Sequence, residues 1–350
     1  MSIDINDPRT MLGIIAEAKR PAQVLGGLFF KRRRTHTTVN LDVDLITKSR
    51  PRGWMVNPVA QGVVVTRGGV VTKTIKPGYI RRKKTITPAD FLLRRAGEQY
   101  GGSMSPGARV AEMRGEDLAD LLDGIDRDEE ILRAEVLWTG KFPVYEWPEG
   151  AAAPVLVREV DFDLPATHNV TLATLWSDAA ADILEQLSTG ARLCQDESGL
   201  TPNILILSTD LIQYFVHNTK IKAVLDNRRM GGSMIDFKPY GQRMTYVGSL
   251  NYADLNVDVV TYSETYDSFA GAATRLTPAK YGGLFCTEAP YTMEYGVVQN
   301  LKAGASGFVG ERFPLRWEEP DGSAEWLQIE CSPLCTNLQP KSSYIFKALA

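Results

Sequence analysis

Apolar residues recur along the chain with two periods, one typical of strands and one typical of helices. Residues 35–46 alternate between apolar and polar, with Val39, Leu41, Val43 and Leu45 on one face, which predicts a half-buried strand. Apolar runs bounded by turn-forming residues predict further strands at 141–146, 155–164, 203–207, 244–247, 257–262, 313–317, 325–331 and 343–349. Apolar residues at helical spacing predict helices within the first twenty residues and at 105–138, 177–191 and 210–225.

The segment 105–138 is the longest predicted helix. Ser105 followed by Pro106 is a typical helix start, because serine caps free N–H groups and proline fits the first turn. Gly115 and Gly124 each lower helix stability by about 1 kcal/mol relative to alanine. One face is acidic, and we expect it to be solvated. Its residues are Glu112, Glu116, Asp117, Asp120, Asp123, Asp126, Asp128, Glu129, Glu130 and Glu135.

Residues 63–84, read as VVVTRGGVVTKTIKPGYIRRKK, contain no acid and are here called the basic ribbon. β-Branched residues flank Arg67-Gly68-Gly69, whose glycines permit the positive φ of a tight turn, so a two-stranded hairpin is predicted. An isolated hairpin is marginal in water, and this one offers no run of large apolar side chains for packing on its own domain. We therefore expect the basic ribbon to need a partner surface.

Charge is unevenly distributed along a chain whose net charge is only −3. Residues 1–100 contain 19 Lys and Arg against 7 Asp and Glu, whereas the remaining residues contain 20 against 35. Such asymmetry indicates either an anionic partner or a chain that binds copies of itself, basic face to acidic face. Both alternatives stay open at this point.

The length of 350 residues allows two domains, and the composition is that of an ordinary globular protein. The N-terminus lacks the layout of a secretion signal, and no window approaches the roughly 18 apolar residues of a membrane span. Four widely spread cysteines predict neither a disulfide framework nor a paired metal site, and we expect buried free thiols.

The sequence lacks the motifs of common enzymes. His36, His168 and His217 lie far apart and form no metal-ligand set, and no phosphate-binding loop, dinucleotide fingerprint or nucleophile elbow is present. We therefore expect no catalytic residue, no cofactor and no metal. A nucleic-acid-binding protein is the alternative, because basic clusters at 31–34 and 81–84 lie beside Phe29, Phe30 and Tyr79.

Several ordered segments carry a resemblance to a known family. They are Leu28-Phe29-Phe30 with Thr37-Thr38, Val56-Asn57-Pro58-Val59 with Arg67-Gly68-Gly69, Lys76-Pro77-Gly78-Tyr79-Ile80 with Pro88, and the end of the chain from Ser332-Pro333-Leu334 to Leu349-Ala350. In these the chain resembles the lambda-type (E family) major capsid proteins of tailed phages. The resemblance covers almost the whole chain and is most distinct at its two ends.

The resemblance implies an α+β capsid fold of the Hong Kong 97 type. Its parts would be an N-terminal arm (1–30), a peripheral-domain strand (31–49), an extended loop (50–95), a peripheral domain with a long spine helix (96–165), an axial domain (166–308) and C-terminal peripheral strands (309–350). It also implies assembly into hexamers and pentamers of an icosahedral head in the host cytoplasm, around packaged double-stranded DNA. Scaffold, decoration and portal proteins are further candidate partners, and no membrane is expected.

The basic ribbon and the acidic helix then suggest a contact between neighbouring copies. The predicted basic side is Arg67, Lys73, Lys76, Tyr79, Arg81, Arg82, Lys83 and Lys84, and the predicted acidic side is Glu116, Asp120, Asp123 and Asp126. Lys31, Arg32, Arg33 and Arg34 are candidates for contacts with DNA or with the arm. Exposed ion pairs contribute only about 0 to 1 kcal/mol each, so apolar contacts must supply most of the adhesion.

Overall fold

A computed structural model describes residues 23–47, 55, 57–58, 61, 69–92, 105–148, 153–178, 180–226, 234–241, 243–252, 255–269, 271–304 and 307–350. The predicted N-terminal helix and the Arg67-Gly68 turn lie outside these residues. No helix in these ranges is long and apolar enough to cross a membrane.

The helices include the long one that the sequence predicts. Their bounds are Val24–Leu28 (α1), Pro88–Leu92 (α2), Pro106–Thr139 (α3), Ile183–Ser198 (α4), Thr209–His217 (α5) and Thr219–Asp226 (α6). In α3 the Ser105 hydroxyl accepts the N–H of Ala108, and the helix ends at Gly140, which has a φ of 69°. Ser105 thus caps the N-terminus of α3 and Gly140 caps its C-terminus. The helix runs unbroken through Gly115 and Gly124.

Two predicted helices differ from the observed ones. The segment predicted at 177–191 is displaced, because Asp182 caps the N-terminus of α4 by accepting the N–H of Glu185. The helix predicted at 210–225 is divided at Asn218, whose extended ψ of 132° ends α5, while its side chain accepts N–H groups at the start of α6.

The strands of the first half are Arg32–Thr35 (β1), Leu41–Thr47 (β2), Gly69–Ile75 (β3), Ile80–Ile86 (β4), Lys141–Glu146 (β5), Val155–Asp161 (β6), Asn169–Thr171 (β7) and Ile204–Leu207 (β8). Those of the second half are Met234–Gly241 (β9), Met244–Tyr252 (β10), Leu255–Tyr262 (β11), Thr265–Asp267 (β12), Ala273–Arg275 (β13), Tyr281–Phe285 (β14), Tyr291–Tyr295 (β15), Phe313–Glu318 (β16), Glu325–Cys331 (β17), Pro333–Asn337 (β18) and Tyr344–Lys347 (β19).

A seven-stranded sheet in the order β7-β19-β14-β8-β11-β10-β9 is the largest element. Apolar residues of α4, α5 and α6 form a common core with it, including Leu187, Leu211 and Ile221. Strand β19 lies inside this sheet, between β7 and β14. Strand β19 fits beside β14 because Gly282 leaves room for Phe346, whose ring would lie 2.5 Å from a Cβ built at Gly282.

Two three-stranded sheets pack near α3, in the orders β1-β15-β18 and β16-β17-β4. Leu118, Leu121 and Ile125 of α3 form a core with residues of β17, including Ile329. Because β15 pairs with β1 and β18, the end of the segment 166–308 belongs to this part of the molecule rather than to the large sheet.

The first arm of the predicted hairpin, 63–66, lies outside the described residues, and the two described strands of the basic ribbon pair with different strands. Strand β3 pairs with β2, from Leu41 opposite Ile75 to Thr47 opposite Gly69. Strand β4 instead pairs with β17. The buried side chains of Ile75 and Ile86 explain the difference, because they anchor the two strands in different parts of the protein's own body.

Candidate assembly surface

Strand β4 lies across α3 and forms ion pairs with it inside one chain. Arg82 donates two hydrogen bonds to Asp128, of 2.7 Å and 2.6 Å, and Lys84 donates to Asp117 at 2.9 Å and to Asp120 at 2.6 Å. Hydrogen bonds from Arg82 to Asp128 raise the pKa of that guanidinium, against the opposing effect of burial. Arg82 and Lys84 thus meet acids of α3 within one chain, and the predicted contact with the helix acids of an adjacent copy stays a prediction.

Gly124 is the residue of α3 over which Arg82 passes. A Cβ built at Gly124 would lie 2.9 Å from Nη1 of Arg82, which is too close for a real contact. The glycine that weakens the helix by its backbone entropy therefore allows the bidentate pair with Asp128 to form.

Most of the other basic-side residues are also engaged within the chain. Arg81 lies 3.3 Å from the buried Glu330, Lys83 stacks over Trp326 at 4.3 Å, and Lys73 pairs with Asp163 at 2.6 Å. The Tyr79 hydroxyl donates to the carbonyl of Val297 at 3.1 Å. The exposed Lys76, Glu116, Asp120 and Asp123 remain candidates for contacts between copies, whereas Arg67 lies outside the described residues.

Part of the acidic face of α3 is buried, which corrects the expectation of a solvated row. The buried residues form an ion cluster, named here the buried ion cluster, that comprises Asp126, Glu129, Glu130, Arg133 and Arg312. Arg312 reaches Glu129 at 2.6 Å and Asp126 at 2.9 Å, and Arg133 reaches Glu129 at 2.9 Å and Glu130 at 3.0 Å. Burial alone would raise the pKa of Glu129, but the two guanidinium groups hold it below its ordinary value.

The buried ion cluster joins distant segments of the chain. Glu130 accepts the N–H of Leu25 at 2.6 Å and so caps α1, and it accepts the Tyr262 hydroxyl at 3.2 Å. Glu129 accepts the Tyr295 hydroxyl at 3.1 Å. Glu129 and Glu130 precede Arg133 by four and three residues, a spacing that favours ion pairs within a helix. No sequence pattern indicated that Arg312 would join them.

The hairpin of β5 and β6 exposes an unusual amount of apolar surface. Trp147 is 61% exposed, Val157 57% and Leu156 47%, and Phe269 nearby is 64% exposed. A groove of about 610 Å³ lies between this hairpin, α3 and residues 266–269. Large exposed apolar side chains of this kind indicate an interaction site in a globular protein.

Glu135 of α3 lies in this groove. Its Oε2 atom is buried and finds no hydrogen-bond donor among the described residues. Burial raises the pKa of Glu135 to about 7, from an ordinary value of 4.5.

The raised pKa of Glu135 predicts a pH-dependent stability of the subunit. Between pH 4.5 and 7 the folded state binds the extra proton, so its stability falls as the pH rises through this window. At pH 8 we expect the free energy of unfolding of Glu135→Gln, measured with urea, to exceed that of the parent by about 2 to 3 kcal/mol. Near pH 4.5 the two free energies should be equal. Glu146→Gln, at an exposed position, is the control, and identical pH profiles for parent and Glu135→Gln would contradict the prediction.

The basic segment 31–34 lies at the outer edge of a sheet. All four side chains of β1 are exposed, and Arg33 pairs with Glu311 at 2.8 Å and with Gln23 at 3.1 Å. Lys31, Arg32 and Arg34 are exposed beside it. Their exposed positive charge suits contacts with phosphate groups.

Cysteine and histidine residues occupy structural positions. All four cysteines are buried and free, as predicted, and burial raises the pKa of the Cys194 thiol to about 12. The buried His168 contacts the carbonyl of Ser343 through Nδ1 at 2.8 Å. Within the described ranges, His, Cys, Asp and Glu form no group of three that suits a metal ion.

Comparison with known proteins agrees with this architecture. The chain is 26% identical over 332 residues to the major capsid protein of Enterobacteria phage P21, and equally to the P21 prophage-derived major head protein of Escherichia coli O6:H1. Each match covers 93% of this chain and 94% of the relative.

Solved structures show the same fold. The candidate capsid protein of a prophage from Escherichia coli CFT073 matches with a TM-score of 0.71 and 19% identity, over 98% of this chain and 99% of that one. A phage-related protein from Bordetella bronchiseptica RB50 matches with a TM-score of 0.53 and 10% identity, over 98% and 97%. The model of the family described as phage major capsid protein E matches residues 7–348, and the chain therefore belongs to this family of phage head proteins, with the α+β fold of the Hong Kong 97 type.

Proposed function

We propose that this major capsid protein assembles, as hexamers and pentamers of itself, into an icosahedral head that encloses packaged double-stranded DNA in the host cytoplasm. The exposed apolar hairpin of β5 and β6 supports this best, since a lone subunit would leave Trp147 and Val157 in water. The chain then acts by binding other copies of itself rather than by catalysing a reaction. Scaffold, decoration and portal proteins are the further partners that such a head would take.

Charge plays a different role in this proposal from the one that the sequence suggested. The pairs of Arg82 and Lys84 with α3 stiffen each subunit, so they do not bridge neighbours. Neighbouring copies meet instead through apolar surface, with the exposed Lys76 and the exposed acids of α3 adjusting register. This division follows from magnitudes, because exposed pairs contribute only about 0 to 1 kcal/mol each.

Assembly of the purified chain tests the proposal. We expect protein freed of nucleic acid to form closed shells or rings in negative-stain electron microscopy, above a threshold concentration, since interfaces of obligate assemblies bury about 2,000 to 5,000 Å². Trp147→Ser should raise that threshold, while Leu301→Ser, at a fully exposed position away from the groove, should leave it unchanged. A chain that stays monomeric at every concentration, with and without duplex DNA, would refute the proposal.

Contact with DNA through the basic edge strand is a separate element of the proposal. Lys31, just before β1, and Arg32 and Arg34 within it offer three exposed cations. Replacing all three by serine should leave shells intact and lower the slope of DNA affinity against salt by about 3, measured by fluorescence titration. An unchanged slope would remove DNA contact from the role of this strand.

A further inference from the structure

The groove beside the β5–β6 hairpin has the size of a site for a small organic molecule. Its volume of about 610 Å³ lies within the range of about 300 to 1,000 Å³ that is usual for ligand pockets. Tyr145 and Trp147 line it from the hairpin, and Tyr266 and Phe269 line it from the segment 266–269. The rings of Tyr145 and Phe269 lie 5.5 Å apart, edge to face. Aromatic rings thus reach this groove from two separate parts of the chain.

Aromatic walls of this kind attract a positive charge as well as apolar groups. The face of an aromatic ring is electrically negative, so a cation over it is stabilised. The edge of the groove already contains one such contact, because the guanidinium of Arg81 lies 5.5 Å from the centre of the Tyr79 ring. Tyr145 is 41% exposed and Phe269 64%, so both rings still offer surface to a ligand.

Glu135 of α3 adds an unpaired carboxyl group to the groove. The residue is half-buried and lines the groove, and its buried Oε2 atom has no hydrogen-bond donor among the described residues. A buried acceptor that has lost its water without gaining a donor destabilises the folded chain. A ligand that donates a hydrogen bond to this carboxyl group removes that penalty, and the gain adds to its affinity.

The negative charge of Glu135 acts on the aromatic residues around it. Burial, together with this charge, raises the pKa of both Tyr145 and Tyr266. The carboxyl group therefore lies near tyrosines from both parts of the chain that line the groove. An ion bound to the carboxylate would sit beside their rings.

The other charged residues of the groove favour a cation over an anion. Arg82 pairs with Asp128 at 2.6 Å, and Arg81 lies 3.3 Å from the buried Glu330. Asp267 is a further acid that lines the groove, and it is exposed. Both lining arginines thus meet other acids, and the charge of the groove complements a positive ligand.

We propose that this groove binds a small organic ammonium ion with an apolar body, whose charged group donates to the carboxylate of Glu135. The rings of Tyr145 and Phe269 contact the apolar body and the edge of the positive charge. A neutral molecule of the same shape binds more weakly, because it does not neutralise the carboxylate. A carboxylic acid is rejected, because two carboxylates would then share one partly buried site. The inference goes beyond the proposed function, since it concerns a ligand of the single subunit.

Isothermal titration calorimetry of unassembled subunits tests the proposal, with 2-phenylethylammonium as the probe. At pH 8 the parent should bind one equivalent at least about tenfold more tightly than 2-phenylethanol, which has the same ring without the charge. Glu135→Gln, which keeps the size of the side chain and is expected above to be the more stable protein at this pH, should bind the two probes about equally. Glu146→Gln, at an exposed position outside the groove, is the matched control and should keep the preference of the parent.

Three results of this titration would overturn the inference. They are no binding of the ammonium probe to the parent, equal affinity of the parent for the two probes, and a preference for the ammonium probe that persists in Glu135→Gln. Each of them leaves the assembly of shells untouched, because the titration uses subunits below the assembly threshold. Conversely, a parent that binds the probe as expected and forms no shells would count against the proposed function alone.

The affinity for the probe should also depend on pH. Burial raises the pKa of Glu135 to about 7, so at pH 6 most of this carboxyl group is protonated and must lose its proton before it pairs with the probe. The parent should therefore bind about tenfold more weakly at pH 6 than at pH 8. The other charged groups that line the groove, Arg81, Arg82, Asp128 and Asp267, remain in Glu135→Gln, so this variant measures their contribution. Equal pH dependence in the parent and in Glu135→Gln would remove Glu135 from the site.

Discussion

Arg312→Met is expected to lower the free energy of unfolding of the subunit by about 3 to 5 kcal/mol. The Arg312 side chain is 2% exposed, and it neutralises Glu129, which is fully buried, and Asp126. Removal of the guanidinium leaves three carboxylates of the buried ion cluster, Asp126, Glu129 and Glu130, with only Arg133 to balance them. Burial then destabilises the ionised carboxylates, and the attraction of the Arg312 guanidinium no longer offsets it. The folded variant must therefore either hold an unpaired buried charge or bind a proton at neutral pH.

Urea unfolding at pH 7 measures this effect. Arg243→Met is the control, because Arg243 pairs with Glu264 but is 57% exposed, and such a pair should contribute less than about 1 kcal/mol. Since protonation relieves unpaired carboxylates, the deficit of Arg312→Met should also shrink as the pH is lowered toward 4. A loss no greater than that of Arg243→Met would show that the buried ion cluster is not an organising element of the subunit.

Phe29→Ala is expected to destabilise the subunit by about 3 to 5 kcal/mol, the range for a buried phenylalanine. Phe29 is 2% exposed and packs edge to face against Phe285 at 5.8 Å and Tyr291 at 5.6 Å. These partners belong to the large sheet and to the β1-β15-β18 sheet, so the ring holds the segment after α1 between the two. Leu25, Phe29 and Phe30, in the segment that the resemblance assigns to the N-terminal arm, are therefore part of the core.

Phe269→Ala is the matched control for this variant. Phe269 is 64% exposed, so its loss should change the unfolding free energy of the subunit by less than about 0.5 kcal/mol. We thus expect Phe29→Ala to affect the stability of the subunit and Phe269→Ala to affect assembly, because only Phe269 borders the groove. Equal losses on thermal or urea unfolding would contradict the packing of residues 23–30 described above.

The sequence predicted local structure well where a single periodicity governed a segment. The helix α3 was expected at 105–138 from its serine cap and apolar spacing, and it spans Pro106–Thr139. Strands β5 and β17 were placed with the observed bounds, since alternation and flanking turns define them without tertiary help. The buried face of β2, with Leu41, Val43 and Leu45, was likewise predicted.

Sequence reasoning failed where long-range contacts decide the outcome. Strand β4 carries four consecutive basic residues, and nothing local indicates that β17 pairs with it or that α3 supplies its counter-ions. Strand β14 begins at Tyr281 and continues with Gly282 and Gly283. Two glycines weaken an isolated strand, but here they leave room for the aromatic rings that pack against it. The groove was missed because its walls come from 145–147 and 266–269, which are far apart in the chain.

Electron cryomicroscopy of the assembled particle tests the central claim most directly, which is that each subunit completes its own charged body and joins others through exposed apolar surface. We predict a closed shell in which Arg82 pairs with Asp128 of the same chain, β4 pairs with β17 of the same chain, and the β5–β6 hairpin is covered by another chain. A shell in which β4 lies on a neighbour's α3, with the hairpin still facing solvent, would contradict the account.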